Sequence, residues 1–550
     1  MALLRATATE LARRGLHALG RWAKCQRFAK VCPLGRRWSI GVHEPATAPR
    51  PPSCWAAWQA QRPRWVVGLG VLAVVVAGVG FAPSLARPLG QVAGPVGAPA
   101  GGESIARPPG YRALDGSGLG YARRGGASVR VAPRGDAELI SQLFYDTPLP
   151  LLGVVDEGGQ PGWYEVELWG VLRGWIRAAE VALEAEPEPA PPPWERQQPP
   201  PTPTPRAATA MPLQTTGRTV HEARWRAGPS VDAPVLAELP TGQVGAVTAW
   251  TTDGDGDAWF ALRLGEATGW VYGANLTLDR PAGTASGVAA GRLAGKGMWI
   301  PRAFGPLANP RYLVRAARQL GLTHLYIDVA SSDAGFHGRS VLDALLPEAH
   351  AAGLRVVGWL WPTLADPVAD VALSVEVARY TTPSGDQLDG LAPNAEERMA
   401  LGQVQAYIQV LRTLLGPDYL LVGTVFPPEH PFAQRYPQHV VLAGWVDVLA
   451  PMTYWSEQRR TFPGDEVARY IQRAIRQLRA DVGDPTYPVA PIGQMYDTFG
   501  RNGIGPYSPG SAEITAALQA SRAAGALGMS FFQWGTATPA EWRALRDFAW

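Results

Sequence analysis

Cysteine is confined to the N-terminal end of this 550-residue chain, at Cys25, Cys32 and Cys54. Everything after residue 54 can therefore use neither disulfides nor thiol catalysis, and the three spacings fit no zinc pattern. Lysine is nearly missing, with only Lys24, Lys30 and Lys296, so arginine carries the positive charge. The eight histidines never fall into HxH or HExxH spacing, which argues against a zinc hydrolase. There is no Gly-x-Ser-x-Gly elbow and no phosphate-binding glycine loop. These absences leave carboxylates, amides and aromatics as the chemistry available, with no cofactor and no metal expected.

The charge is unevenly placed. Residues 1–64 hold twelve Lys/Arg against Glu10 and Glu44, about +10, which leaves −7 for the rest of a chain whose total is +3. An acidic remainder excludes nucleic acid as its partner. Residues 65–82, WVVGLGVLAVVVAGVGFA, carry no charge, and the next charged residue is Arg87. At about 1.5 Å per residue this run can cross about 30 Å of hydrocarbon. The reading is a single-pass transmembrane helix with 1–64 cytoplasmic and the later domains extracytoplasmic; a signal cleaved near APSLA is the alternative. Residues 2–30, ALLRATATELARRGLHALGRWAKCQRFAK, can form a basic amphipathic helix on anionic lipid or a solvated tail.

Composition divides the exported part. Residues 83–118 are a Gly/Pro/Ala-rich spacer, 185–213 a stiff Pro-rich linker and 282–294 a third joint. Between them, residues 119–184 and 214–281 repeat each other: GWYEVELWGVLRGWI (162–176) matches AWFALRLGEATGWVY (258–272). Each reads as short alternating strands. The second copy, through Arg226, Gly228, Pro229, Ser230, Gly269, Trp270 and Val271, resembles the bacterial SH3-like domain. The first copy, with Ala132-Pro133-Arg134-Gly135, diverges from it. That resemblance implies binding of cell-wall peptides or glycans, although Trp163, Trp175, Trp259 and Trp270 suit a small core better than a ligand platform. DGDGD (253–257) imitates a calcium loop but has Ala258 and Leu264 where Gly and Glu are required, so a hairpin loop is expected.

From residue 295 eight apolar runs alternate with helical periods: 296–300, 323–330, 355–362, 387–392, 419–426, 446–455, 487–496 and 528–535. Continuous hydrophobic strands buried on both faces, about 255 residues and a closing helix capped by Thr538 and Pro539 predict a (β/α)₈ TIM barrel over 295–550. The expected fold is thus multidomain: transmembrane helix, two small all-β SH3-like barrels and a C-terminal TIM barrel.

Barrel active sites lie at the C-terminal ends of the strands. Those ends supply Trp299, Asp328, Trp361, Asn394, Glu396, Tyr454, Trp455, Gln494, Tyr496, Asp497 and Trp534. Flat sugar faces stack on such aromatics, and sugar hydroxyls bond to amides and carboxylates. DGLAPNAEERM (389–399), VLAPMTYW (448–455) and SFFQWG (530–535) resemble the strand-four, strand-six and strand-eight signatures of chitinase-like glycoside hydrolases. The departure is in strand four, where Leu391, Ala392 and Pro393 replace the family's spaced acids.

The resemblance implies a membrane-tethered hydrolase of cell-wall glycan or peptidoglycan, with Glu396 as acid and Asp497 or Asp328 as the second carboxylate. Trp299, Trp361, Asn394, Tyr454, Trp455, Gln494, Tyr496 and Trp534 would bind substrate. Glu396 and Glu397 can equally be helix-start charges, Asp497 a loop cap, and Asp389 structural. The alternatives are a degenerate barrel that only grips glycan, and a structural envelope protein. If the repeated modules serve only as wall anchors, removing 120–280 abolishes wall binding and leaves hydrolysis of soluble glycan intact.

Overall fold

The computed structural model describes residues 107–115, 118–123, 126–184, 209–282, 287–301, 305–394, 400–456, 464–499, 506–535 and 537–550. The basic segment and the apolar run 65–82 lie outside these. Among the described residues no helix is long and apolar enough to cross a membrane.

The described residues of the two repeated segments form strands, short turns and single 3-10 turns. Seven strands of the first (Leu119–Ala122, Ala127–Arg130, Leu139–Leu143, Pro148–Glu157, Gln160–Leu168, Leu172–Arg177, Val181–Ala182) correspond one by one to seven of the second. Those are Met211–Thr219, Ala223–Arg226, Val235–Leu239, Val244–Thr252, Ala258–Leu264, Ala267–Tyr272 and Leu276–Leu278. Both antiparallel sheets run three-two-six-five-four-one-seven in space, and they do not join.

The correspondence reaches single contacts. Arg130 pairs with Trp175 as Arg226 pairs with Trp270. Arg130 Nη1 donates to the Ala137 carbonyl and Arg226 Nη1 to that of Ala233, each at 2.7 Å. Trp163 Nε1 donates to Glu157 and Trp259 Nε1 to Asp253, in each case six residues back. Trp163, Trp175 and Trp259 are buried, as a core role requires. Asp253 also accepts the backbone N–H groups of Asp255 and Asp257, which makes DGDGD a self-capped hairpin loop.

The C-terminal part is a closed parallel barrel. Its strands are β1 Gly295–Ile300, β2 Leu322–Ser331, β3 Arg355–Trp361, β4 Gly390–Pro393, β5 Leu420–Val425, β6 Val448–Pro451, β7 Ile492–Gln494 and β8 Gly528–Phe532. β1 pairs with both β2 and β8. The ring closes between β6 and β7 through the bridges Leu449–Val489 and Met452–Ile492. Helices α1 Pro310–Gln319, α2 Arg339–Ala351, α3 Pro367–Arg379, α4 Leu401–Leu415, α5 Pro431–Arg435, α6 Gln438–Ala443, α7 Asp465–Val482, α8 Ser511–Ala523 and α9 Pro539–Asp547 follow the strands, with the pair α5 and α6 after β5.

Alternate residues of each strand point to opposite faces. Trp299, Tyr326, Val357, Trp359, Ala392, Val422, Ala450 and Ile492 fill the barrel interior. Leu325, Ile327, Val356, Leu360, Leu421, Leu449, Met529 and Phe531 pack outward in the core shared with the helices. Burial on both faces is why the strands read as unbroken apolar runs. Asp389 lies just ahead of β4, where it accepts from Val356 N at 2.8 Å and sits 3.3 Å from Arg355, a structural position.

Both modules pack on the barrel. The second meets α4, where Gln409 Oε1 accepts from Leu278 N at 3.0 Å and Gln403 donates to the Gly256 carbonyl. The first docks near β8, α9 and α1. Trp169 packs edge-on against Trp534 at 5.3 Å. Arg546 donates to the Gly170 carbonyl, Thr147 to that of Gly535, and Asn309 to that of Leu139.

Candidate functional site

A cavity of about 860 Å³ opens at the C-terminal ends of the barrel strands, within the size range of ligand sites, roughly 300–1,000 Å³. Seven of the eight strand ends deliver lining residues, all but β2: Trp299 (β1), Trp359 and Trp361 (β3), Asn394 (after β4), Thr424 (β5), Met452 and Tyr454 (after β6), Ile492, Tyr496 and Asp497 (β7 and beyond), Phe532 and Gln533 (β8 and just after it).

The aromatic rings form a connected floor. Trp299 stands edge-on to Trp359 at 5.3 Å and stacks on Tyr326 at 4.0 Å. Trp359 meets Trp361 at 5.6 Å and Phe532 at 5.9 Å. Phe532 in turn meets Tyr496 at 5.7 Å, and Tyr496 meets Tyr454 at 5.6 Å. Trp299 is fixed by its Nε1 donating to Ser530 Oγ at 2.8 Å. Three buried polar atoms in this floor, Tyr326 Oη, Trp359 Nε1 and Thr424 Oγ1, have no hydrogen-bond partner among the described residues. Buried polar atoms in native proteins are generally satisfied, so these three are hydrogen-bonding capacity the described residues leave unused.

Asp497 stands in the cavity wall. Burial pushes its carboxyl above the usual aspartate range, and a hydrogen bond from Ser508 opposes the shift. Behind it lies Glu541, fully buried at the start of α9. Its Oε2 accepts from Thr538 N at 2.6 Å, closing a capping box. Burial raises Glu541 to about 8, with Asp497 and Glu513 adding smaller repulsive contributions.

Of the residues anticipated from sequence, Trp299, Trp361, Asn394, Tyr454, Tyr496 and Asp497 meet in this one cavity. Glu396 and Glu397 lie outside the described residues. The other four are not in its wall. Trp455 lies in the turn beyond β6 and is fully buried in the core shared with the helices. Trp534 comes after β8 has ended; its N–H bonds to the Trp299 carbonyl, and its ring faces Trp169 and Trp542. Gln494 is spent inside the protein, accepting from Ser456 N at 3.1 Å and donating to the Tyr496 carbonyl at 2.9 Å. Asp328 sits where the β2–β3 register shifts, with its carboxylate 3.1 Å from His337 Nε2.

Sequence reasoning missed one wall altogether. Leu119, Tyr121, Tyr145, Asp146, Thr147 and Pro148 of the first β module also line the cavity. The expectation that the module is a detachable anchor does not fit this geometry, because its removal would take away part of the site. No local signal marks these residues, since their position depends on docking across almost 400 residues of chain. Among the described residues no group of three or more His, Cys, Asp or Glu could hold a metal ion.

No protein-family model and no curated protein sequence matches the chain. Among solved structures it is similar to the C-terminal domain of a putative chitinase from Desulfitobacterium hafniense DCB-2, at 13% identity and TM-score 0.36 over 46% of this chain and 99% of that one. It is also similar to the family GH18 chitinase from Cycas revoluta in complex with allosamidin, at 14% identity and TM-score 0.36 over 46% and 99%. A third is the Bacillus cereus spore cortex-lytic enzyme SleL, at 13% identity and TM-score 0.34 over 46% and 75%.

Proposed function

We propose that this chain is an extracytoplasmic glycan hydrolase of the cell envelope, tethered through residues 65–82 and carrying two SH3-like modules. The observation that carries the reading is the cavity at the strand ends. It combines a continuous aromatic floor, the amides of Asn394 and Gln533 and the wall carboxyl of Asp497. Tryptophan and tyrosine faces take the C–H face of a sugar ring, while Thr424 Oγ1 and Trp359 Nε1 offer unused hydrogen-bonding capacity to its hydroxyls. Glycoside cleavage needs a protonated carboxyl at the leaving oxygen and a second group across the sugar. Glu396, between β4 and α4 in the sequence, takes the acid role in this reading and Asp497 the second. The shared strand order of the two modules supports placing both in one SH3-like class.

The test is release of reducing ends from purified wall, chitin and other polysaccharides by residues 107–550, beside Glu396→Gln and Asp497→Asn. Each substitution should lower the rate at least 100-fold with binding retained. Binding with no release by the unaltered protein would favour a glycan-gripping barrel instead. The specific observation on that side is β4, which turns Ala392 and Asn394, not acids, toward the interior.

A further inference from the structure

We propose that the first β module supplies a sugar-binding subsite of the barrel's cavity, built from Tyr121, Tyr145 and Asp146, and that it takes a second, uncharged ring of the glycan. The inference rests on the glycan reading above and adds which part of the chain selects substrate length.

The two repeated modules provide an internal control. Each has a turn before its fourth strand. In the first, Asp146 N donates to the Ala122 carbonyl and Thr147 N to that of Phe144. In the second, Gly242 N donates to the Thr219 carbonyl and Gln243 N to that of Pro240. Asp146 is thus the counterpart of Gly242, Tyr145 of Thr241 and Tyr121 of Arg218. Both turns need a left-handed residue, with φ of +64° at Asp146 and +86° at Gly242. Glycine adopts that conformation freely, whereas a side chain there is strained. The first module holds aspartate in this conformation, and that aspartate lines the cavity. In the second module Arg218 is instead paired with Asp279 at 2.9 Å, and no residue of that module lines the cavity.

The turn is held against the barrel mouth. Thr147 Oγ1, next to Asp146, reaches the Gly535 carbonyl at 3.4 Å, and the adjoining Trp534 packs on Trp169. Tyr121 and Tyr145 are half-buried and line the cavity, and Leu119 beside them is 41% exposed. Two tyrosines and a carboxylate suit a pyranose: ring faces for stacking and an acceptor for hydroxyls or an amide. No lysine or arginine is among the lining residues described, while Asp146 and Asp497 both are, which disfavours a polyanionic glycan.

The test uses the swap that the second module already contains. Asp146→Gly with Tyr145→Thr is made in residues 107–550. Binding is measured by tryptophan fluorescence with chito-oligosaccharides and cello-oligosaccharides of two and five units. The pentamer should bind roughly 10-fold more weakly to the double variant, while the dimer is unchanged. Thermal stability of Asp146→Gly is read beside it, because glycine relieves the left-handed turn while giving up the side chain's own interaction within the protein; weaker pentamer binding in a variant of unchanged Tm separates a ligand role from a structural one. Equal pentamer binding by the unaltered and double-variant proteins would overturn the proposal and leave the glycan reading standing. Absence of binding to any of the four probes by the unaltered protein would overturn both.

Discussion

Trp169 and Trp534 meet edge to face, ring centroids 5.3 Å apart and planes at 79°, although 365 residues separate them in the chain. One belongs to the first β module and the other to the segment that leaves the last barrel strand. Trp542 of α9 completes the cluster at 5.2 Å from Trp534. The contact joins the cavity wall contributed by the first β module to the barrel mouth, so a stability measurement here also reports on the cavity.

Trp534→Ala should therefore cost about 3–5 kcal/mol, as for other large buried aromatics. Chemical denaturation of residues 107–550 measures it. A double-mutant cycle with Trp169→Ala should return a coupling of about 0.5–1.5 kcal/mol. A loss below about 1 kcal/mol for Trp534→Ala would mean the ring faces solvent or substrate. Deleting 119–184 should abolish turnover of soluble oligosaccharide, measured as release of reducing ends.

Asp497 gives a pH prediction. Its folded-state pKa is raised by burial, so it retains a proton at pH values where an exposed aspartate has lost it. If its carboxylate form is the working one, the acidic limb of kcat/KM should lie above the ordinary aspartate value near 4. Asp497→Asn should remove that limb together with most of the rate. An acidic limb unmoved in the residual activity of Asp497→Asn would exclude it from the chemistry.

Glu541 predicts a stability trend. Its carboxyl goes from 4.5 when unfolded to about 8 when folded. Between those values the folded protein keeps a proton that the unfolded chain has released, so stability is fully present below about 4.5 and falls as pH rises to about 8. The burial involved corresponds to a few kcal/mol over that window. Glu541→Gln keeps an acceptor for Thr538 N and removes the titration. Its Tm should be nearly flat over the window where the unaltered protein's declines, and parallel curves would contradict the assignment.

Arg412 and Asp447 form a fully buried pair at 2.7 Å. Arg412 also donates to the carbonyls of Trp445 and Tyr419, and Asp447 accepts from Leu421 N. Arg412→Met should cost about 3–5 kcal/mol, because it leaves the buried Asp447 carboxylate with only the more distant guanidinium of Arg280, at 3.7 Å. Adding Asp447→Asn should recover part of the loss in the same denaturation experiment. A double variant less stable than the single would show the pair to be worth more than the desolvation it imposes.

The positions of the strands and helices were written in local pattern. Runs such as THLYIDVA and RVVGWLWP are apolar on both faces because each residue of a barrel strand meets either the interior or a helix. The Thr538–Pro539 start of α9 and the duplicated Gly-Trp segments were likewise readable, since caps, turns and repeats act over a few residues. The rest needed the folded chain. Trp534 leaves the cavity because β8 stops at Phe532, Gln494 is spent on Ser456 and Tyr496, and Asp328 is drawn to His337 at a register shift. Above all, nothing local in FYDTP announces that Asp146 faces the same cavity as Asp497. Periodicity records which way a side chain points from its own strand; the packing of one domain on another decides what it meets there.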